Sequence, residues 1–287
     1  MQISTFFRRK RHIRDDAPWF TFFNYLFTIS YCFLIIVPLY YVLISSFKNN
    51  IEIFSGLLRL PSRLDLDNYR RAIEQGEIFK ALLVSTYVTM GAEVLTLLLA
   101  YPVAYAVARI RTRLSSWTEG LFGLGFLIPG MAMLVPIFLF VVNLKLYHNP
   151  LALIVVYPAM ALPGTVILLA SALRAIPREL EESAQIDGAS RLQMIWHIFL
   201  PLSIAGLVTV LILNFLNFWS EYIFAMVLLS KENRTVQLAV TALKTSRYID
   251  FGLVTAGAVI SMIPVFIVFL IFQERIMSGM LVGAVKE

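Results

Sequence analysis

The stretch ESAQIDGASRLQMIWHIFLP, residues 182–201, separates two long apolar runs. It carries more local signal than a tether needs. Just upstream, Pro177 suits the first turn of a helix, and Glu179, Glu181 and Glu182 fall near that helix's positive N-terminal end. Leu180, Ser183, Ala184 and Asp187 share one face by three- and four-residue spacing, and the small side chains at 183 and 184 let another surface come close. Gly188 can take the left-handed conformation that ends a helix. Ser190 and Gln193 then form the capping-box pattern of a second helix. On that second helix Leu192, Ile195, Trp196 and Phe199 make an apolar stripe, suited to the membrane interface or to a helical bundle. Pro201 closes it. The reading is a rigid elbow: a polar helix, a hinge and an anchor helix. A surface hairpin without a partner is the alternative reading of the same residues.

The flanks set the fold class. The chain has 287 residues, 59% hydrophobic and 15% charged, with a mean hydropathy of +0.78. A soluble domain of that length has no interior large enough for so much apolar surface. Six stretches reach the roughly 20 residues that span a bilayer: about 22–47, 79–108, 118–143, 151–173, 203–229 and 251–272. Prolines 38, 102, 129, 136, 158, 163 and 264 lie inside them, as membrane helices tolerate. The expectation is an all-α membrane protein: a basic tail at 1–21 and a single transmembrane domain at 22–287 with six transmembrane helices.

Arg8, Arg9, Lys10, Arg11 and Arg14 cluster before the first span and place the N-terminus in the cytoplasm. With six spans the C-terminus is cytoplasmic too, and so is the elbow between helices 4 and 5. Arg109, Arg111 and Arg113, and Arg174, Arg178 and Arg191, agree with that orientation. The first span is too long for a signal-peptide core and lacks a cleavage site, so it reads as a retained helix of a multi-pass cell (inner/plasma) membrane protein. The net charge of +6 reflects this loop bias and does not suggest nucleic acid. Cys32 is the only cysteine, and His12, His148 and His197 are scattered, which argues against a metal site. There is no paired-acid or Ser/His/Asp set for catalysis and no Walker A pattern, so ATP hydrolysis would need a separate chain.

The elbow resembles the EAA motif in the membrane subunits of binding-protein-dependent ABC importers. That pattern is Glu-Ala-Ala, three residues, Gly, nine residues and Ile-x-Leu-Pro. Here it is Glu182-Ser183-Ala184, Gly188 and Ile198-Phe199-Leu200-Pro201 at the full spacing, with Ser183 the one departure. The segments PLYYVLISSFKNN at 38–50, LPGTVILLASALRAIPRELEESAQIDGAS at 162–190, NFWSEY at 217–222 and GAVKE at 283–287 resemble the carbohydrate branch, nearest the second permease subunit of the maltose transporter group. The resemblance implies half of a heterodimeric channel. A homologous permease supplies the other half, two ATPase subunits bind ATP and Mg below, and an extracytoplasmic binding protein delivers sugar. No cofactor is expected on this chain. The first elbow helix would be the coupling helix, with Glu182, Ser183, Ala184, Asp187, Gly188, Ile198, Leu200 and Pro201 as the ATPase-coupling set. The tail residues Gly283, Ala284, Val285 and Lys286 would reach the ATPases.

Polar residues inside spans are costly and mark functional or buried positions. Glu93 in helix 2 reads either as cavity lining or as a structural hydrogen-bonding group. Asn214, Asn217, Trp219, Ser220 and Glu221 on helix 5 form a polar–aromatic patch suited to a sugar or to a cavity wall, and Trp219 and Tyr222 also read as interfacial aromatics. Residues 231–250 are a candidate contact for the binding protein. The leading expectation is a permease subunit of an oligosaccharide importer. The alternatives are an ABC permease for a polyol, glycerol phosphate or amino acid, and an ion-coupled secondary transporter using Glu93.

Overall fold

The computed structural model describes residues 18–56, 58–110, 112–244 and 249–284, with side chains from 19 to 273. The N-terminal basic cluster, Arg111, Val285 and Lys286 lie outside the described residues, and Gly283 and Ala284 fall in the last turn of the final helix. In chain order the helices are α1 Pro18–Ser45, α2 Asn50–Ser55, α3 Asp67–Gly76, α4 Ile78–Arg109, α5 Arg113–Gly125, α6 Leu134–Asn143 and α7 Leu151–Arg174. They continue as α8 Arg178–Ile186, α9 Arg191–Met194, α10 Leu200–Leu202, α11 Ile204–Ser220, α12 Ile223–Leu228, α13 Val236–Ala242 and α14 Phe251–Ala284. Among the described residues every regular element is helical.

Four helices are long and apolar enough to cross a membrane, and up to six spans result if each of two bent pairs counts as one. The expected third span is such a pair. α5 and the segment Gly130–Asn143 meet at 94°. Pro129, in an extended conformation with ψ 124°, breaks the helix, and Gly130 opens a short 3₁₀ turn. The fifth span departs in the same way. Segments Arg191–Leu202 and Ile204–Ser220 meet at 75°, and the backbone breaks again at Glu221 and Tyr222 before α12. The remaining spans match their hydropathy runs, except that α1 starts at Pro18, ahead of 22, and α14 runs on to Ala284, beyond 272.

The centre of the bundle is α4 against α7. Ala92, Thr96, Ala100, Ala104 and Ala108 recur every fourth residue of α4, and all are buried. Such a stripe of small residues lets helix backbones approach without a polar interior. Across it lie Leu153, Val156, Val166, Leu169 and Leu173 of α7. α11 crosses close by, where a side chain at Gly206 would collide with Ala172. In contrast, only 6% of the most apolar window of α1 is buried, leaving Trp19, Phe22, Phe27, Phe33 and Leu34 on the outside.

Contacts sort the connecting segments to two ends. At one, Asn233 donates to the His148 carbonyl at 3.2 Å, Arg234 to the Gly76 carbonyl at 3.0 Å, and Arg71 pairs with Asp250 at 2.8 Å. At the other, the end of α4, the start of α5 and the α7–α8 junction meet, with Arg174 paired to Glu119 at 2.6 Å. The bent α5–α6 pair therefore runs from one end to the other, and the elbow belongs to the second end.

Candidate functional site

The elbow's first limb is α8. Its first turn carries Glu179 and Glu181, which favour the positive helix end. Pro177 is the residue ahead of the helix, one position earlier than first-turn placement. Asp187 is the C-cap. The Gly188 N–H donates to the Gln185 carbonyl at 3.0 Å and the Ala189 N–H to the Ala184 carbonyl at 2.9 Å, a Schellman closure. Gly188 sits at φ +77°, the only glycine among the described residues in the left-handed region. Two residues on, the Gln193 N–H donates to Ser190 Oγ at 3.3 Å and the Ser190 N–H to Gln193 Oε1 at 2.8 Å, completing the capping box. Both turns of the hinge are thus closed by hydrogen bonds, and the angle between the limbs is fixed locally.

The face expected on α8 divides. Ala184 turns inward to the core, while Leu180, Glu182, Ser183, Asp187 and Gly188 are exposed. The Ser183 hydroxyl donates back to the Glu179 carbonyl at 2.8 Å, so toward a partner it can only accept. Ile198 and Leu200 are half-buried and Pro201 is exposed. Asp187, Gly188, Gln193, His197 and Ile198 line a groove of about 310 Å³ between the limbs.

The second limb is not the single helix expected from its stripe. After α9 the chain makes a π turn at Ile195–Phe199. The wider winding takes Phe199 off the line of Leu192 and Trp196. Phe199 is fully buried, whereas Leu192 and Trp196 are 65% and 60% exposed, and Met194 supplies the other inward contact. The stripe is therefore two surfaces, one for the bundle and one facing outward.

Arg109, read from sequence only as a cytoplasmic loop charge, lies under this elbow. Its side chain is 2% exposed. The guanidinium donates to the carbonyls of Leu173 and of Ile176, the latter at 2.7 Å, so it satisfies acceptors left open at the end of α7. It lies 3.7 Å from the Glu181 carboxylate and 4.8 Å over the ring of Phe199. Two further residues of α4 continue the line at four-residue spacing. Tyr105 meets Phe199 edge-on at 5.1 Å, and the Tyr101 hydroxyl bonds Ser203 Oγ at 2.9 Å at the foot of α11. The spacing of Tyr101, Tyr105 and Arg109 is the sequence signal that could have found them.

The polar residues within the spans separate by face. Glu93 is 5% exposed, its carboxylate oxygens have no hydrogen-bond partner among the described residues, and the amide of Asn214 is the polar group beside it. Asn214 itself bonds Thr165 of α7, Nδ2 to Oγ1 at 3.1 Å. On α11, Trp219 points inward, donating from Nε1 to the Ser261 carbonyl at 3.1 Å and stacking on Phe215. Leu213, Leu216, Asn217 and Ser220 form the exposed face. The helix 5 residues therefore do not make one patch: Asn217 and Trp219 are two residues apart and about 200° around the helix. Glu221 is engaged in structure. Its carboxylate accepts from the N–H groups of Phe224 and Ala225 at 2.8 and 3.0 Å, capping α12, and from the Tyr157 hydroxyl at 2.8 Å.

A model of the family described as "Binding-protein-dependent transport system inner membrane component" matches residues 96–281, which include the whole elbow and the Tyr101–Arg109 line. The probable ABC transporter permease protein YurM of Bacillus subtilis (strain 168) is 33% identical over 280 residues, 97% of this chain and 91% of the relative. The diacetylchitobiose uptake system permease protein NgcG of Streptomyces coelicolor is 32% identical over 272 residues, 93% of this chain and 89% of the relative. Among solved structures, a chain of a bacterial ABC transporter involved in the import of the acidic polysaccharide alginate superposes with a TM-score of 0.79 at 22% identity, covering 90% of this chain and 96% of that one. At that identity the likeness is one of fold.

Proposed function

We propose, from the premise that the chain belongs to the family of binding-protein-dependent transport system inner membrane components, that it is one permease subunit of an ATP-driven oligosaccharide importer. It is a multi-pass membrane protein and a transport subunit, not an enzyme. In this reading the bent α5–α6 pair is one crossing and α11, entered through the bend at Ser203, is another, giving six spans with both termini and the elbow in the cytoplasm. A second, homologous permease completes the pathway, two ATPase subunits carry ATP and Mg, and an extracytoplasmic binding protein delivers the sugar. Whole-length similarity to a permease named for diacetylchitobiose uptake supports the sugar class.

The observation that carries the coupling role is the hinge. A short polar helix, closed at Gly188 and recapped at Ser190, projects Glu182, Asp187 and Gly188 outward at the end where Arg109 meets the α7–α8 junction. Such an elbow transmits displacement because its angle is fixed. Closure of the ATPases would push α8 and turn the helices around the pathway by rigid-body motion. The exposed α11 face with Asn217 and Ser220 is the stretch of this chain that would line the pathway, Glu93 and Asn214 lying behind it. The test is capture of the tagged chain in mild detergent from its own cells, followed by mass spectrometry and by uptake of labelled malto-, chito- and galacto-oligosaccharides in proteoliposomes. Recovery of an ATPase and a second permease, with accumulation of one of these sugars, is the expected result. A chain recovered alone and folded would overturn the reading in favour of secondary transport.

A further inference from the structure

We infer that Tyr101, Tyr105 and Arg109 form the seam through which movement of the elbow reaches the bundle, with Arg109 as its positioning residue. The inference rests on the coupling reading above. An elbow helix of nine residues cannot turn a bundle unless it is fastened to a helix that spans it. The covalent links fasten the elbow at one end only: α8 follows α7 after Ala175–Pro177, whereas the 75° bend at Ser203 and the π turn at Ile195–Phe199 lie between α8 and α11. The second fastening is lateral, onto α4. Every fourth residue on one line of α4 holds a different part of the elbow: Arg109 holds the α7–α8 junction and Glu181, Tyr105 holds Phe199, and Tyr101 holds Ser203 at the bend. The line begins beside Pro102 and ends where α4 ends.

The chemistry of Arg109 suits this task better than that of a smaller cation. A planar guanidinium can donate to two carbonyls, face a carboxylate and lie on an aromatic ring at once. An ammonium has three N–H donors but no planar face to lie along the Phe199 ring while it donates. The elbow and α4 therefore move as one body while Arg109 is present.

The experiment uses the whole importer in proteoliposomes, supplied with the sugar that the unmodified complex accumulates, and measures ATP hydrolysed per sugar accumulated. Arg109→Lys is expected to assemble with its partners and to hydrolyse ATP at close to the unmodified rate, yet to spend at least about tenfold more ATP per sugar. Amide exchange of residues 178–202 should rise in parallel, while that of α4 outside its last turn stays unchanged. Tyr101→Phe, which removes only the hydroxyl on Ser203, is expected to raise the ATP cost by a smaller factor. Should Arg109→Lys fail to assemble, Tyr101→Phe still decides the matter, an unchanged ATP cost there overturning the seam. An unchanged ATP cost in Arg109→Lys, beside a lost uptake in Gly188→Arg, would overturn the seam and leave the coupling elbow standing. An unchanged cost in both would overturn the coupling reading itself.

Discussion

Gly188 concentrates its constraint in one angle. At φ +77° a side chain is strained, yet nothing lies within 4 Å of the point where a Cβ would stand. Alanine there adds no collision within the chain and costs roughly 1–2 kcal/mol for the left-handed backbone. Asparagine takes that conformation more readily, so uptake should fall in the order Gly, Asn, Ala, with all three chains inserted in the membrane. Gly188→Arg should abolish uptake, because its long side chain stands on the exposed face of the hinge. Cells with equal amounts of each variant, assayed for sugar accumulation, test the order, and a wild-type rate for the arginine variant would remove the docking role. Glu93 is the opposite case, a buried carboxyl whose oxygens find no partner among the described residues. In an ATP-driven pump its charge does no transport work. Glu93→Gln keeps the shape and should reduce uptake by no more than about threefold, a change of roughly 0.7 kcal/mol. Complete loss in a normally assembled complex would point to ion coupling.

At the scale of elements, the break between α11 and α12 is held by one side chain. Glu221 caps α12 and takes the Tyr157 hydroxyl, so Glu221→Ala removes a cap and strands a phenol that is buried on α7. The cost should be about 1–2 kcal/mol. It should appear as faster amide exchange across residues 223–229, with α14 unaffected; unchanged exchange there would show that packing alone holds the break. The same elements separate what was legible in sequence from what was not. Long helices follow from uninterrupted apolar runs, and the hinge from the local chemistry of Gly188, Ser190 and Gln193. Those signals act within a few residues. The bend near Pro129 had its proline and glycine in view, but whether a proline kinks a helix or ends it depends on the packing of its neighbours. There Gly125 lies so close to Pro163 that a Cβ would stand 2.7 Å from its ring. The π turn follows from how Phe199 seats between Tyr105 and Arg109, which no local pattern contains. Helix 5 misled for a reason peculiar to membranes. Its own apolar residues run all round the helix, so hydropathy does not say that Trp219 faces in and Asn217 faces out. Arg109 was read by charge bias, and its actual partners are carbonyls more than 60 residues away.

The whole molecule has two ends, and the orientation of those ends is a single binary fact. Contacts place residues 46–56, 58–77, 144–150, 228–244 and 249–250 at one end and residues 109–110, 112–119 and 173–202 at the other. In the proposed orientation the second end is the cytoplasmic one, which the N-terminal arginine cluster supports through the preference of Lys and Arg for that side. Because Cys32 is the only native cysteine, a Cys32→Ser chain accepts single reporters. Lys231→Cys and Gln185→Cys are both exposed positions at opposite ends. A membrane-impermeant maleimide added to intact cells, or to spheroplasts where an outer membrane is present, should label Lys231→Cys and spare Gln185→Cys; inside-out vesicles should reverse the pattern. Labelling of Gln185→Cys from outside would invert the molecule. Labelling of both from one side would mean that α11 and α12 do not cross between the two reporters, which the contacts of their flanking segments at opposite ends oppose. Only the expected pattern puts the hinge at Gly188 where ATP is, and the arginine seam beneath it then lies between the energy source and the helices it must turn.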